Sequence, residues 1–254
     1  MSWNPEQYLK FSDHRLRPAV DLLNRIDVAE PRLIYDLGCG AGNVTRLLRA
    51  RWPKARIIGV DSSSAMLGKA RGASSDIEWV QADLADWVAE APADVIFSNA
   101  ALHWLDGHAA LFPALLGNLA AGGALAVQMP RNHGAPSHTG MMEAACSGPW
   151  QGLLQSRLRE HPVAAPEFYW DVLAAAGVRP DIWETEYIHA LEGVDAVVQW
   201  TLGTALRPLL DALDEPWRSA FLADYARRMA EAYPRRGDGV TLFPFRRLFV
   251  VARR

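Results

Sequence analysis

One stretch restricts the fold of this chain more than any other. The run Leu33-Ile34-Tyr35-Asp36-Leu37 stops in a glycine-rich turn, Gly38-Cys39-Gly40-Ala41-Gly42-Asn43. About twenty residues on, Ile57-Ile58-Gly59-Val60 stops in Asp61-Ser62. An apolar strand, a glycine turn, a helix and a second strand ending in an acid form the layout by which a parallel α/β sheet holds a nucleoside. The glycines admit close backbone approach, and the acid takes the ribose hydroxyls.

The glycine spacing narrows the nucleoside. It is G-x-G-x-G, whereas a dinucleotide site reads G-x-G-x-x-G and rests a pyrophosphate on a helix N-terminus. Asp36, at the strand end, repels a pyrophosphate. It suits a ligand carrying an ammonium and a sulfonium, and S-adenosylmethionine carries both. An ordinary strand–glycine–helix junction is the alternative.

The alternation continues along the chain. Residues 77–81 read as a third strand leading to Asp83, and 94–98 as a fourth leading to Asn99. Residues 124–129 read as a fifth, after a Gly122-Gly123 turn. Helices are expected over 17–25, 43–52, 62–71 (capped by Ser62 or Ser63) and 111–119. Strands alternating with helices predict a parallel sheet with right-handed crossovers. Ligands bind beyond the carboxyl ends of such strands, where Asp36, Asp61, Asp83 and Asn99 fall, one per strand. Past residue 129 the regularity breaks. A helix is expected over 168–176 and a strand over 182–191. Helical material should fill 194–232, interrupted near Pro208 and Pro216, and a closing strand should cover 247–253.

At 254 residues the chain can bury a full core. Hydrophobic and charged fractions of 50% and 22% are those of a globular protein, and the net charge of −3 recruits no nucleic acid. All but three of the 26 basic residues are arginines, whose planar forks suit carboxylates. Cys39 and Cys146 make no disulfide framework. No signal peptide or 18-residue apolar run is read, so a cytoplasmic protein without membrane contact is expected. His133 and His138 lack a third ligand at useful spacing, and no metal site is expected.

With these motifs placed, the chain resembles the class I S-adenosylmethionine-dependent methyltransferases. Further segments are similar to the trans-aconitate 2-methyltransferase family in particular: Trp3–Ser12, Arg17–Leu23, His103–Leu105, Leu125–Asn132, Asp181–His189, Leu206–Pro208 and Arg247–Arg254. The resemblance runs nearly end to end, with one departure: Arg131 stands where an acidic residue is expected. It implies a Rossmann-like α/β fold with a seven-stranded, mostly parallel sheet, helices on both faces and a helical lid. It also implies one domain over 1–254. This comprises an N-terminal helical cover (1–30), a cofactor-binding core (31–129), lid or substrate-binding insertions (130–165 and 194–240) and remaining sheet elements (166–191 and 241–254).

The implied activity is methyl transfer from S-adenosylmethionine to a carboxylate of trans-aconitate, giving a monomethyl ester and S-adenosylhomocysteine. Methylation of another small acid or metabolite, or cofactor binding without turnover, are the alternatives. The resemblance assigns Tyr8, Arg17, Asp36, Gly38, Gly40, Gly42, Asn43, Asp61, Ser62, Met66, Asp83, Leu84, Asn99 and Ala100 to the cofactor. It assigns Trp104, His133, Arg207 and Arg247 to a polycarboxylate substrate, and His103 and Trp104 to positioning, with no residue as general base. Structural readings stay open beside these. Asp61 can be a helix N-terminal acid, Asp83 an Asx turn and Met66 a core side chain. Tyr8 can be helix packing, Arg15 and Arg17 solvated, and His133, His189, Arg207 and Arg247 structural. The oligomeric state is not legible.

Overall fold

The computed structural model describes residues 12–159 and 162–254. Among them, seven strands form one sheet: β1 (Leu33–Leu37), β2 (Arg56–Asp61), β3 (Glu78–Gln81), β4 (Ala93–Asn99), β5 (Leu119–Pro130), β6 (Asp181–Glu192) and β7 (Val240–Arg253). Their order is β3-β2-β1-β4-β5-β7-β6, parallel from β3 to β5, with β7 antiparallel to β5. The helices are α1 (Ser12–Asn24), α2 (Asn43–Arg51), α3 (Ser64–Ala73), α4 (His108–Gly117), α5 (Pro136–Ser147), α6 (Gln151–Leu154), α7 (Pro166–Ala175), α8 (Ala196–Leu202), α9 (Arg207–Leu210) and α10 (Trp217–Ala232). No helix among the described residues is long and apolar enough to cross a membrane.

Of the described residues, 15–130, 162–185 and 247–254 make one compact unit, and 12–14, 131–159 and 186–246 make another. In the first unit β1 is buried along its whole length, as a central parallel strand must be. One face of the sheet presents Tyr35, Ile58, Ile96, Val127 and Val250 to Phe112 and Leu115 of α4 and Tyr169 and Leu173 of α7. The second unit has its own core, built on Trp150, Trp200, Phe221, Tyr225, Phe243 and Phe245.

Two expectations need correction. Gly122 and Gly123 lie inside β5 and not before it, at the bulge where its register with β4 shifts between Ala93 and Val95. Gly122 takes a left-handed φ of 79° there, and pairing with the end of the chain holds the bulge: the Gly122 N–H donates to the Arg254 carbonyl at 2.8 Å, and the Arg254 N–H donates to the Gly123 carbonyl at 3.0 Å. The helix expected over 111–119 starts three residues earlier, after Gly107 in a left-handed conformation, and yields to β5 at Leu119. The breaks near Pro208 and Pro216 are as expected. Pro208 occupies the first turn of α9, where its missing N–H costs nothing.

Candidate active site

The strand order reverses between β1 and β4, and in a doubly wound sheet that reversal opens a crevice at the carboxyl ends of the strands. The loop after β1 and the loop after β4 meet there. Gly38, Gly40 and Gly42 all have positive φ, of 76°, 55° and 76°. Gly38 is required by packing: a Cβ at this position would sit 2.1 Å from Ala101 Cβ. Gly40 is different, since a Cβ there would meet nothing within 4 Å. Open space beside a left-handed glycine is what a backbone approached by a ligand needs. Across from it, Ala100 is held at φ 54°, a conformation alanine rarely adopts, and such strain gathers at ligand-binding turns.

Asp61 braces this loop. Its Oδ2 accepts the Gly40 N–H at 2.8 Å, and its Oδ1 accepts the Ser63 N–H at 2.8 Å. An ionised carboxylate offers about four acceptor sites, so each oxygen keeps a lone pair for a ribose hydroxyl. Ser63, rather than Ser62, caps α3, with its Oγ accepting the Met66 N–H at 3.3 Å. Asp83 is exposed, and its Oδ1 accepts the Ala85 N–H at 3.0 Å. The Asx turn is therefore present, and it uses one of the two oxygens. Leu84 is half-buried, Met66 is buried, and Asn43 Oδ1 accepts from Arg46 Nη2 at 2.6 Å.

Asp36 lies deeper than its place at the strand end implied. It is 1% exposed, and its Oδ2 accepts from Thr45 Oγ1 at 2.6 Å. Burial, with a contribution from the nearby Asp61 charge, pushes its carboxyl up to about 7 against the opposing pull of the Thr45 bond. Burial also pushes the Cys39 thiol far above its ordinary range, so this cysteine is inert. Asp36 is therefore a buried carboxyl behind the loop.

Asn99, Ala100 and the turn that follows lie at the carboxyl end of β4. The Ala100 N–H donates to the Gln128 carbonyl at 2.9 Å. His103 and Trp104 follow in a 3-10 turn over Leu102–Trp104, their rings 4.8 Å apart, with Trp104 exposed. His108 anchors this turn: its Nε2 lies 3.0 Å from the Leu102 carbonyl and its Nδ1 2.8 Å from the Tyr169 hydroxyl. A carbonyl only accepts, so Nε2 carries the proton and Nδ1 accepts from the tyrosine. Sequence reasoning passed over both His108 and Thr45. Their signal was a polar side chain recurring on the buried face of a helix.

Arg247 is the one expected substrate residue that is fully buried. It is 4% exposed on β7, and its Nη1 donates to Gln128 Oε1 at 3.2 Å. Arg17 is exposed on α1, while Tyr8 and the Arg15 side chain lie outside the described residues. His133 and Arg207 belong to the second unit. The His133 ring lies 4.9 Å from that of His138, which burial pushes down to about 4, and Arg207 pairs with Asp211 at 3.5 Å. His189 stacks on Trp200 at 4.6 Å inside the second core. Arg131 is half-buried, and its N–H donates to the Arg246 carbonyl at 2.9 Å.

These residues suit S-adenosylmethionine: glycine backbone open to a ligand, an acid with spare acceptors at the ribose position, a second acid on the next strand and a buried carboxyl behind. Residues 34–123 match the family model described as a methyltransferase domain. A trans-aconitate 2-methyltransferase of Azoarcus sp. (strain BH72) is 48% identical over 251 residues, covering 99% of this chain and 98% of the relative. One from Klebsiella pneumoniae (strain 342) is 48% identical over 252 residues, with the same coverage. Among solved structures, the YcgJ protein of Bacillus subtilis aligns with a TM-score of 0.61 at 12% identity, over 95% of this chain and 98% of that one. Phosphoethanolamine N-methyltransferase 2 of Haemonchus contortus, in complex with S-adenosyl-L-methionine, aligns at 0.56 and 15% identity, over 94% of this chain and 52% of that one. Those two likenesses carry the fold. The identity to full-length relatives carries the family: this chain belongs to the trans-aconitate 2-methyltransferases, S-adenosylmethionine-dependent enzymes of the class I methyltransferase fold.

Proposed function

We propose that the chain methylates one carboxylate of trans-aconitate, giving the monomethyl ester and S-adenosylhomocysteine. The observation that carries this reading is the identity of 48% over 251 residues, which covers 99% of this chain and 98% of the relative. When bound, the cofactor supplies a methyl group on a sulfonium, whose carbon–sulfur bond breaks as the carboxylate oxygen–methyl bond forms. Asp61 holds the ribose, Asp83 and the Leu84 amide the adenine edge, and the glycine loop with Asn99 and Ala100 the methionine end. Met66 backs the adenine.

Substrate carboxyls titrate near ~4, so at neutral pH the nucleophile is already ionised. General-base catalysis has no proton to remove, and none of the site's histidines is given that task. The work is positioning: one carboxylate oxygen has to meet the methyl in line at about 3 Å. His103 and Trp104 orient it. The remaining carboxylates need charge-assisted donors, because an unpaired buried anion costs several kcal/mol. Arg247 is the proposed donor in the first unit. For His133 and Arg207 of the second unit the same role is proposed from the family likeness, each open to its own substitution. We further propose a cytoplasmic enzyme that acts on small polycarboxylates and not on nucleic acid.

Incubating the purified chain with methyl-labelled cofactor and a panel of small acids tests the reading. Labelled methyl ester from trans-aconitate is expected. Label passing only to a different acid moves the activity to that substrate, and no transfer to any acid overturns the assignment.

A further inference from the structure

The inner part of β5 is apolar from Ala124 to Met129 except for Gln128, which is completely buried. A buried amide is unfavourable unless its oxygen and nitrogen are both used. Here the oxygen is used: Oε1 accepts from Arg247 Nη1 at 3.2 Å. The guanidinium fixes which way the amide faces, because a group with five donors and no acceptor can meet only the oxygen. Gln128 Nε2 is sealed from solvent with no partner among the described residues, and so is Asn99 Oδ1.

The sheet registers place these groups together. Asn99 pairs with Gln128 across β4 and β5, and Gln128 pairs with Phe249 across β5 and β7, two residues from Arg247. Side chains repeat every second residue along a strand, so Asn99, Gln128 and Arg247 share one sheet face. That face is opposite the one covered by α4 and α7, and Asp36, in register with Phe97, lies on it too.

We propose that Gln128 is the positioning residue that sets Arg247 for a substrate carboxylate. The inference rests on the reading that Arg247 takes such a carboxylate. A neutral amide suits this task better than an acid. It accepts from the guanidinium and restricts its rotamers without cancelling its charge, whereas a carboxylate would pair with the cation and leave less of it for the substrate. Gln128 touches neither substrate nor cofactor and acts only through the arginine.

The test is steady-state kinetics on the full chain, comparing Gln128→Met, Gln128→Glu, Arg247→Met and the double variant Q128M/R247M, with thermal unfolding of each. Gln128→Met should raise KM for trans-aconitate about tenfold or more, the scale on which a misplaced group acts, and leave KM for S-adenosylmethionine within about twofold. Gln128→Glu should keep the unfolding temperature and raise the same constant at least as far. In the Arg247→Met background the Gln128 change should add nothing, since the residue it positions is gone. An unchanged trans-aconitate KM in Gln128→Glu, or a full extra effect in the double variant, overturns the proposal while leaving the role of Arg247 intact. An unchanged constant in Arg247→Met overturns the role of Arg247 and this proposal with it. Should Gln128→Met not fold, Gln128→Glu alone decides.

Discussion

Thr45 Oγ1 donates a 2.6 Å hydrogen bond to Asp36 Oδ2, and both side chains are buried. The pair joins the last turn of β1 to the first turn of α2 across the glycine loop, so the loop's two ends are fastened by one polar contact. A carboxyl in such a place is easier to keep protonated than ionised until a cation arrives.

The pH dependence follows. Asp36 titrates at about 7 in the folded chain, because of burial first and the Asp61 charge last, and near ~4 when unfolded. The sign is that of a raised group: its stabilising contribution is complete below about pH 4 and is lost as pH rises through about 7, on the order of 4 kcal/mol. Calorimetry of the ligand-free chain and of Asp36→Asn between pH 5 and 8 checks this. The two should melt closer together at pH 5, and the variant should gain on the native chain as pH rises. Parallel curves would remove the raised carboxyl. In the native chain, affinity for the cationic cofactor should rise over the same interval.

Gly38 and Gly40 should separate packing from binding. Alanine at a left-handed position costs about 1–2 kcal/mol in strain. At Gly40 nothing else is added, because the new Cβ meets no atom within 4 Å. Gly40→Ala should therefore lower the melting temperature by only a few degrees while weakening cofactor binding about tenfold or more. At Gly38 the Cβ would lie 2.1 Å from Ala101 Cβ, so Gly38→Ala should lose stability and binding together. Melting curves with and without cofactor, joined to titration calorimetry, distinguish the two. Native-like cofactor affinity in Gly40→Ala would show that this open space is not where the ligand passes.

Asp61→Ala removes the charge-assisted acceptors proposed for the ribose hydroxyls and should weaken cofactor binding at least about tenfold. It also frees the Gly40 and Ser63 N–H groups, which Asp61 holds at 2.8 Å each. Asp61→Asn keeps one oxygen for those donors, so it should restore much of the stability and little of the affinity. Calorimetric titration against both variants reads the difference, and equal recovery of both quantities would make Asp61 a loop brace alone.

Much of the site was legible in the chain because its signals are local. Gly38, Gly40, Gly42 and Asp61 stand out through their spacing, while for the cap of α3 the chain offered Ser62 and Ser63 alike and the fold selects Ser63. Asn99 and Ala100 follow from knowing where a strand ends. Thr45, His108 and Gln128 were not legible, because each acts on a partner from another element: Asp36 on β1, the Leu102 carbonyl and Tyr169, and Arg247 on β7. Gln128 did leave a trace, as the lone polar residue in a run that should be wholly apolar. That β5 continues through the bulge at Gly122 and Gly123 was hidden for the same cause, since it depends on pairing with Arg254.

The order of side chains alone determined an α/β sheet built mostly of parallel strands and pointed to S-adenosylmethionine as its ligand. Hydrophobic periodicity and glycine conformational freedom are properties of neighbours a few residues apart, and they survive in a linear reading. Only the folded chain decided that Asp36 is a buried, proton-holding carboxyl instead of a surface acid, and that Arg247 meets an amide from a strand more than a hundred residues away. Desolvation and cross-strand hydrogen bonding depend on what distant segments bring into contact, and no local pattern encodes that.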